Sequence, residues 1–368
     1  MTARRFDKPW ILILAGGSGT RFWPASRRAA PKHVIAGLGG EGRSLLQATI
    51  DRAMTMTEAE RVFVVTAADQ VDVITPHCQR LSPGRIIAEP VPKNTGPAVA
   101  LSLIYLSRAG ATAHEPVVVL PADAWVGDEG AFATTVSSAC AAAVAEKAIV
   151  TLGVSPTHPA TGYGWIEAGE GTEVEGATVP VLAVESFVEK PDAEVAADLL
   201  AGGRHLWNAG IFAFRFGYLW WLLGDLDEQW DLALTMMSAC IVDGDQAGLA
   251  AEYEQFESIS LDHSVIERAP TLLCVEATFG WSDLGSWDSV GDVLDELPGG
   301  RGRAGRVIAN DADRNVVFAP GKAVALLGVE DLVVVATDDA ILVAPRDRAQ
   351  DVKALVAAAV EAGEDDLL

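Results

Sequence analysis

A short apolar run, Trp10–Leu14, passes without a spacer into Ala15-Gly16-Gly17-Ser18-Gly19-Thr20-Arg21. The run is too short to cross a membrane. Its basic lead-in resembles a signal peptide, but it ends directly in glycines, so it reads as a first buried strand. Glycine accepts positive φ and lets a ligand approach the main chain. Successive N–H groups in such a turn form an anion cradle. The spacing fits neither G-x-G-x-x-G nor G-x-x-x-x-G-K-[ST], which sets aside a dinucleotide fingerprint and a Walker loop.

The same strand-then-loop rhythm continues. Strands are expected at Trp10–Leu14, Arg61–Thr66, Arg85–Ala88, Val117–Leu120 and Ala148–Gly153, with helices at Ser44–Met56, Pro97–Arg108 and Ala131–Glu146 between them. Strand, crossover helix, strand predicts an α/β fold, a doubly wound and mostly parallel sheet. Further strands are expected at Tyr163–Ala168, Val181–Lys190 and Ile211–Arg215, then two helices between Tyr218 and Phe256. Residues 297–305 read as a linker. Beyond it, short Val-rich runs broken by Pro, Gly and Asp predict a small β-solenoid or hairpin array, closed by an Ala-rich helix. The expected domains are therefore 1–297 and a β-rich, β-helix-like 298–368.

The chain of 368 residues carries a formal charge of −24. Sequence-independent nucleic-acid binding needs clustered Lys and Arg, and anionic lipid needs the same, so both are disfavoured. Against that background Thr20–Lys32 is a basic island, with Arg21, Arg27, Arg28 and Lys32 and no acid. The four cysteines, Cys78, Cys140, Cys240 and Cys274, show no zinc or redox spacing and read as reduced thiols of a cytoplasmic protein.

The segment LAGGSGTRFWPASRRAAPKH resembles the G-G-x-G-[ST]-R…P-K signature of sugar-1-phosphate nucleotidyltransferases, and its Trp23-Pro24 pair and long basic spacer resemble the mannose-1-phosphate guanylyltransferase branch. The resemblance implies that Ala15, Gly16, Gly17, Gly19 and Thr20 cradle a nucleotide. It also implies that Arg21 and Lys32 act on the triphosphate and the reacting phosphates, where fixed cations stabilise developing charge. Glu89-Pro90 through Asn94-Thr95-Gly96-Pro97 resembles the family's E-P-x-x-x-N-T-[AG]-P segment, implying a nucleobase pocket formed by Glu89, Asn94 and Thr95. Read plainly, the same residues are a loop opening a helix, with Thr95 or Gly96 as cap and Pro97 in the first turn.

Two acids stand at loop starts, Asp123 after a buried strand in Leu120-Pro121-Ala122-Asp123 and Asp283 in Trp281-Ser282-Asp283-Leu284-Gly285. Ligands of open α/β sheets bind beyond the carboxyl ends of strands. Two carboxylates with substrate phosphates are a usual Mg²⁺ arrangement. By resemblance these are the family's metal-binding aspartates; alone, each is equally a turn or cap residue. Where the family has His after the first Asp this chain has Ala124, and where it has Gln after Pro-Lys it has His33. Phe187-Val188-Glu189-Lys190-Pro191, Trp207-Asn208-Ala209-Gly210 and Thr161-Gly162-Tyr163-Gly164 match sugar-phosphate motifs. They imply that Gly164, Glu189, Lys190 and Asn208 hold the sugar and its phosphate.

The resemblance spans residues 14–287 strongly and the rest weakly. It implies GMP transfer from GTP to α-D-mannose 1-phosphate with Mg²⁺, by a homodimeric enzyme, without nucleic-acid or membrane partners. The chain stops short of the fused isomerase domain of longer relatives, so one activity is expected. Another sugar 1-phosphate, such as a heptose or fucose, and a catalytically silent nucleotide-sugar sensor stay open.

Overall fold

The computed structural model describes residues 8–17, 19–40, 42–296 and 303–367. Ser18, most of the linker read at 297–305 and the division at 297/298 lie outside the described residues; 303–305 belong to the first C-terminal strand. Strands are β1 (Trp10–Leu14), β2 (Val62–Ala67), β3 (Ile86–Glu89), β4 (Pro116–Pro121), β5 (Trp125–Val126), β6 (Ile149–Val154), β7 (Gly164–Thr172), β8 (Val181–Glu189), β9 (His205–Arg215), β10 (Leu272–Ala277), β11 (Trp281–Ser282), β12 (Arg303–Asn310), β13 (Val316–Leu327), β14 (Leu332–Ala336) and β15 (Ile341–Pro345).

Nine of them form one sheet in the order β3-β2-β1-β4-β9-β6-β10-β8-β7. The β3-β2-β1-β4 half is parallel, as is β6 with β10, whereas β9 runs antiparallel between β4 and β6. The strands of the parallel half are buried on both faces, which is why they read as unbroken apolar runs. Along β1, Ile11 and Ile13 face the helices Leu45–Met56 and Glu129–Glu146, while Trp10 and Leu12 face Thr95–Arg108 and the helices after β9.

Three expectations are corrected. The strand placed at Ile211–Arg215 begins at His205, because its first half pairs with β7 as well as β6. Three helices, Phe216–Leu226, Glu228–Asp243 and Gln246–Glu254, replace the two expected between Tyr218 and Phe256. Asn94, not Thr95 or Gly96, caps the helix Thr95–Arg108, its Oδ1 accepting from the Thr95 amide at 2.8 Å.

The C-terminal sheet runs β12-β13-β14 in parallel, with β15 antiparallel at its edge. It shares an apolar core with the loops that hold Phe22, Leu284 and Trp287. The Phe22 ring packs at a tilt against Trp287 with centroids 5.1 Å apart, and Trp287 likewise against Phe318 of β13 at 5.1 Å; Leu284, Val335 and Leu342 fill the same cluster. Trp287 donates to the Trp23 carbonyl, and Trp23 donates to the Leu367 carbonyl. Arg27, read as part of the basic island, pairs with Asp339 between β14 and β15. The sheet therefore braces the segment that carries Arg21 and Lys32. Phe318→Ala should cost about 3–5 kcal/mol of stability by emptying this core. It should also lower kcat below the unfolding transition, because Phe22 and Trp287 lose their support. Urea melts with kinetics at a temperature where both proteins are folded check this; a stability loss with unchanged kcat would make the sheet a passive support.

Candidate active site

Pairing aligns the carboxyl ends of the central strands. Leu14 lies opposite Pro121, and Ala67 opposite Glu89, so the glycine loop, Glu89 and Asp123 leave the sheet from one edge. Within the loop, the Ala15 amide donates to Val65 O and its carbonyl accepts from the Thr66 hydroxyl. Gly16 and Gly17 are exposed, with open space where a Cβ would stand, and Gly17 has φ +97. Gly19 is constrained differently: a Cβ there would lie 2.6 Å from the Lys32 Cβ, so only glycine lets Lys32 pack beneath the loop. Thr20 and Arg21 open a short 3-10 turn and are exposed; Arg21 has no ion-pair partner among the described residues.

Lys32 draws the two acidic loops together. It is 7% exposed, and its ammonium donates to Asp123 Oδ2 at 2.8 Å and to the Asp283 carbonyl at 2.5 Å. Asp283 follows β11, which pairs with β5 just beyond Asp123. Its Oδ1 accepts from the Gly285 amide at 2.9 Å and the Tyr163 hydroxyl at 2.8 Å, so it is a turn acid, not a helix cap. The neighbouring Leu284 takes φ +45, a costly conformation for a leucine that the buried Trp287 core holds in place. His33, beside Lys32, is buried; burial pushes its imidazole down to about 4, so it stays neutral.

Whether a divalent cation suits this place is tested by the donors themselves. An ammonium already stands against the Asp123 carboxylate and the Asp283 main chain, so the spot is built for positive charge. The donors are hard oxygens, which match Mg²⁺. Among the described residues no cluster of three or more His, Cys, Asp or Glu surrounds it. The fit is to a cation shared with substrate oxygens, not to one caged by protein.

Glu89, Asn94 and Thr95, expected to form a nucleobase pocket, are more committed than their motif implies. Glu89 is 7% exposed and accepts from the Tyr253 hydroxyl at 2.6 Å; burial pushes its carboxyl up against the pull of that hydroxyl. A carboxylate offers about four acceptor positions, so Tyr253 and the Lys93 amide leave capacity for a ligand. Asn94 is exposed at φ 70, and Thr95 Oγ1 accepts from the Leu261 amide at 2.8 Å.

On the other flank, β7, β8 and β9 set Gly164 opposite Glu189 and Trp165 opposite Trp207. A Cβ at Gly164 would lie 2.6 Å from Glu189 Oε2, so a side chain there would displace the Glu189 carboxylate. Lys190, at φ 46, pairs with Glu189 at 2.5 Å with its side chain largely exposed. Asn208 is buried on β9, bonded to Thr151 and Asp262. Tyr163 meets Trp207 and Trp281 edge to face, at 5.1 and 5.6 Å, forming an aromatic wall.

The structure thus brings Arg21, Lys32, Asp123 and Asp283 to one edge, with Glu89 and Asn94 on one side and Gly164, Glu189, Lys190 and Asn208 on the other. Sequence reasoning missed the side chains of Tyr163, Tyr253, Thr151 and Asp262. Tyr163 stood inside a quoted motif, read there only for its backbone; the other three sit in no pattern with a characteristic spacing.

The family profile described as Nucleotidyl transferase matches residues 11–298, and a MannoseP isomerase/GMP-like beta-helix domain profile matches 305–358. The xanthan biosynthesis protein XanB of Xanthomonas campestris is 38% identical over 363 residues, 96% of this chain and 73% of that protein. A mannose-1-phosphate guanylyltransferase of Escherichia coli K12 is 37% identical over 95% of this chain and 73% of its own length. A crystal structure from Thermus thermophilus, described as a mannose-1-phosphate geranyltransferase, superposes with a TM-score of 0.83 at 33% identity, covering 95% of this chain and 98% of that one. Among the described residues no helix is long and apolar enough to cross a membrane.

Proposed function

The chain belongs to the nucleotidyl transferase family, in its mannose-1-phosphate guanylyltransferase branch, and from that premise we propose that it transfers GMP from GTP to α-D-mannose 1-phosphate, releasing pyrophosphate. The observation that carries this reading is the convergence of Lys32, Asp123 and Asp283 between a base-side and a sugar-side cluster. In the reaction a phosphate oxygen of the sugar 1-phosphate forms a bond to the α-phosphorus of GTP. The bond from that phosphorus to the bridging oxygen breaks, and pyrophosphate carries away the electron pair. The nucleophile is already an anion, so no side chain need remove a proton.

Asp123 and Asp283 would hold Mg²⁺, which supplies charge neutralisation and alignment of the reacting phosphates. Lys32, at the same two acids, balances negative charge at the reacting centre. Arg21, exposed, close in sequence to the open glycines and without an ion-pair partner among the described residues, would serve the triphosphate. Lys190 serves the sugar phosphate, and the Tyr163 hydroxyl holds the Asp283 carboxylate in orientation. Pyrophosphate release across a panel of nucleoside triphosphates and sugar 1-phosphates tests the reading. GTP with mannose 1-phosphate should be the best pair; a clear preference for another pair overturns the substrate assignment.

Base choice is assigned to Glu89. Guanine presents two donors, N1–H and the 2-amino group, whereas adenine presents an acceptor at N1. A buried carboxylate facing that edge pairs with guanine and is left short of partners by adenine. Glu89→Gln should narrow the GTP preference over ATP, and over ITP, which lacks the 2-amino group, by roughly tenfold in kcat/KM. Unchanged GTP:ATP:ITP ratios would make Glu89 a structural partner of Tyr253 only.

A further inference from the structure

Asn208 sits where the sugar motif points, yet most of its amide is already used. Its Oδ1 accepts from the Thr151 hydroxyl at 2.8 Å and the Gly210 amide at 3.1 Å. Two donors on one end of the amide fix that end as oxygen, so Nδ2 faces the other way. There it donates to Asp262 Oδ1 at 2.8 Å. Asp262 stands on the single helical turn Leu261–Ser264, capped by Ser260 and anchored where the Leu261 amide donates to Thr95 Oγ1. Burial pushes its carboxyl up to about 6, with Glu189 close enough to add to the shift. Lys190 is paired with Glu189, and among the described residues no cation forms an ion pair with Asp262.

A half-buried carboxylate whose donors are the Asn208 amide and its own main-chain amide is costly unless further donors complete its shell. Hydroxyl groups are such donors; a phosphate, being an anion, is not. We propose that Asp262 is a specificity-determining residue of the sugar-phosphate subsite, accepting hydrogen bonds from hexose hydroxyls beside Glu189, and that Asn208 is the positioning residue that holds it. The arrangement divides the substrate by charge: the ring hydroxyls meet Glu189 and Asp262, and the phosphate meets Lys190. The proposal rests on the sugar 1-phosphate reading above and adds the group that reads the ring.

The experiment uses the full chain with Asp262→Asn, Asp262→Ala, Asn208→Ala and the Asp262→Ala/Asn208→Ala double variant. Each is assayed against a hexose 1-phosphate panel and the monodeoxy analogues of the preferred sugar. Asp262→Ala should raise KM for the sugar phosphate about 10- to 100-fold and leave the GTP KM within about twofold. Wild-type discrimination against at least one deoxy analogue should collapse. Asn208→Ala should resemble Asp262→Ala, and the double variant should be little worse than either, because the two act as a unit. Unchanged sugar KM and deoxy discrimination overturn the proposal, as does an equal rise in both KM values together with a lowered Tm. If Asp262→Ala fails to fold, Asp262→Asn decides: narrowed deoxy discrimination supports the proposal, unchanged discrimination overturns it. A wild type that prefers another hexose 1-phosphate sinks the mannose assignment alone, and the Asp262 comparison is then read on that sugar. A wild type that uses no hexose 1-phosphate overturns both.

Discussion

Asp283→Asn should reduce turnover by about 10³-fold, and Asp123→Asn by a similar factor, with the fold retained. A cation shared between two carboxylates and substrate phosphates supplies several kcal/mol of transition-state stabilisation, and each 1.4 kcal/mol lost is tenfold in rate. Asparagine preserves shape. At position 283 its oxygen would still accept from Tyr163 and from the Gly285 amide, the two bonds that set the turn. Stability should therefore hardly move there. At position 123 the Lys32 ammonium would lose its charged acceptor while keeping the Asp283 carbonyl, so about 1–3 kcal/mol should be lost as well. Initial rates over a Mg²⁺ titration, with thermal melts beside them, separate the two effects. Near-normal rates at limiting Mg²⁺ in either variant would remove that acid from the proposed metal site.

Lys32→Ala should lower kcat by roughly 10²–10³-fold, the usual loss when one fixed group that stabilises transition-state charge is deleted. The GTP KM should rise far less. Lys32 is buried against both acidic loops, under a glycine that admits nothing larger, which on the proposed reading fixes it where charge develops during the transfer. Its benefit should accordingly be greater in the transition state than in the bound ground state. Single-turnover rates at saturating GTP provide the measurement. An unchanged kcat with a raised GTP KM would recast Lys32 as a uniform binding contact.

Much of this architecture was legible locally. The core strands announced themselves as apolar runs: Trp10–Leu14 is the strand read from sequence, and the four that follow differ only at their ends. Glycine and the acids after strands marked the ligand edge because parallel strands deliver their loops to one side. The extended start of β9 was harder to read. Leu206-Trp207-Asn208-Ala209 alternates poorly, because it pairs with strands on both sides and its polar Asn208 is buried by partners, not exposed.

By itself the sequence determined the alternation of the main strands and helices through the first 154 residues, the glycine loop and the charged residue types at the strand ends there, since these depend on local propensity, side-chain alternation and the φ freedom of glycine. Only the tertiary structure decided which of those groups are free and which are committed. Lys32 meets the Asp283 carbonyl across 251 residues, Glu89 meets Tyr253 across 164, and Asn208 meets Asp262 across 54. Such partners are chosen by how the sheet, its covering helices and the C-terminal strands pack, and no local pattern encodes a hydrogen bond between segments that become neighbours only when the core closes.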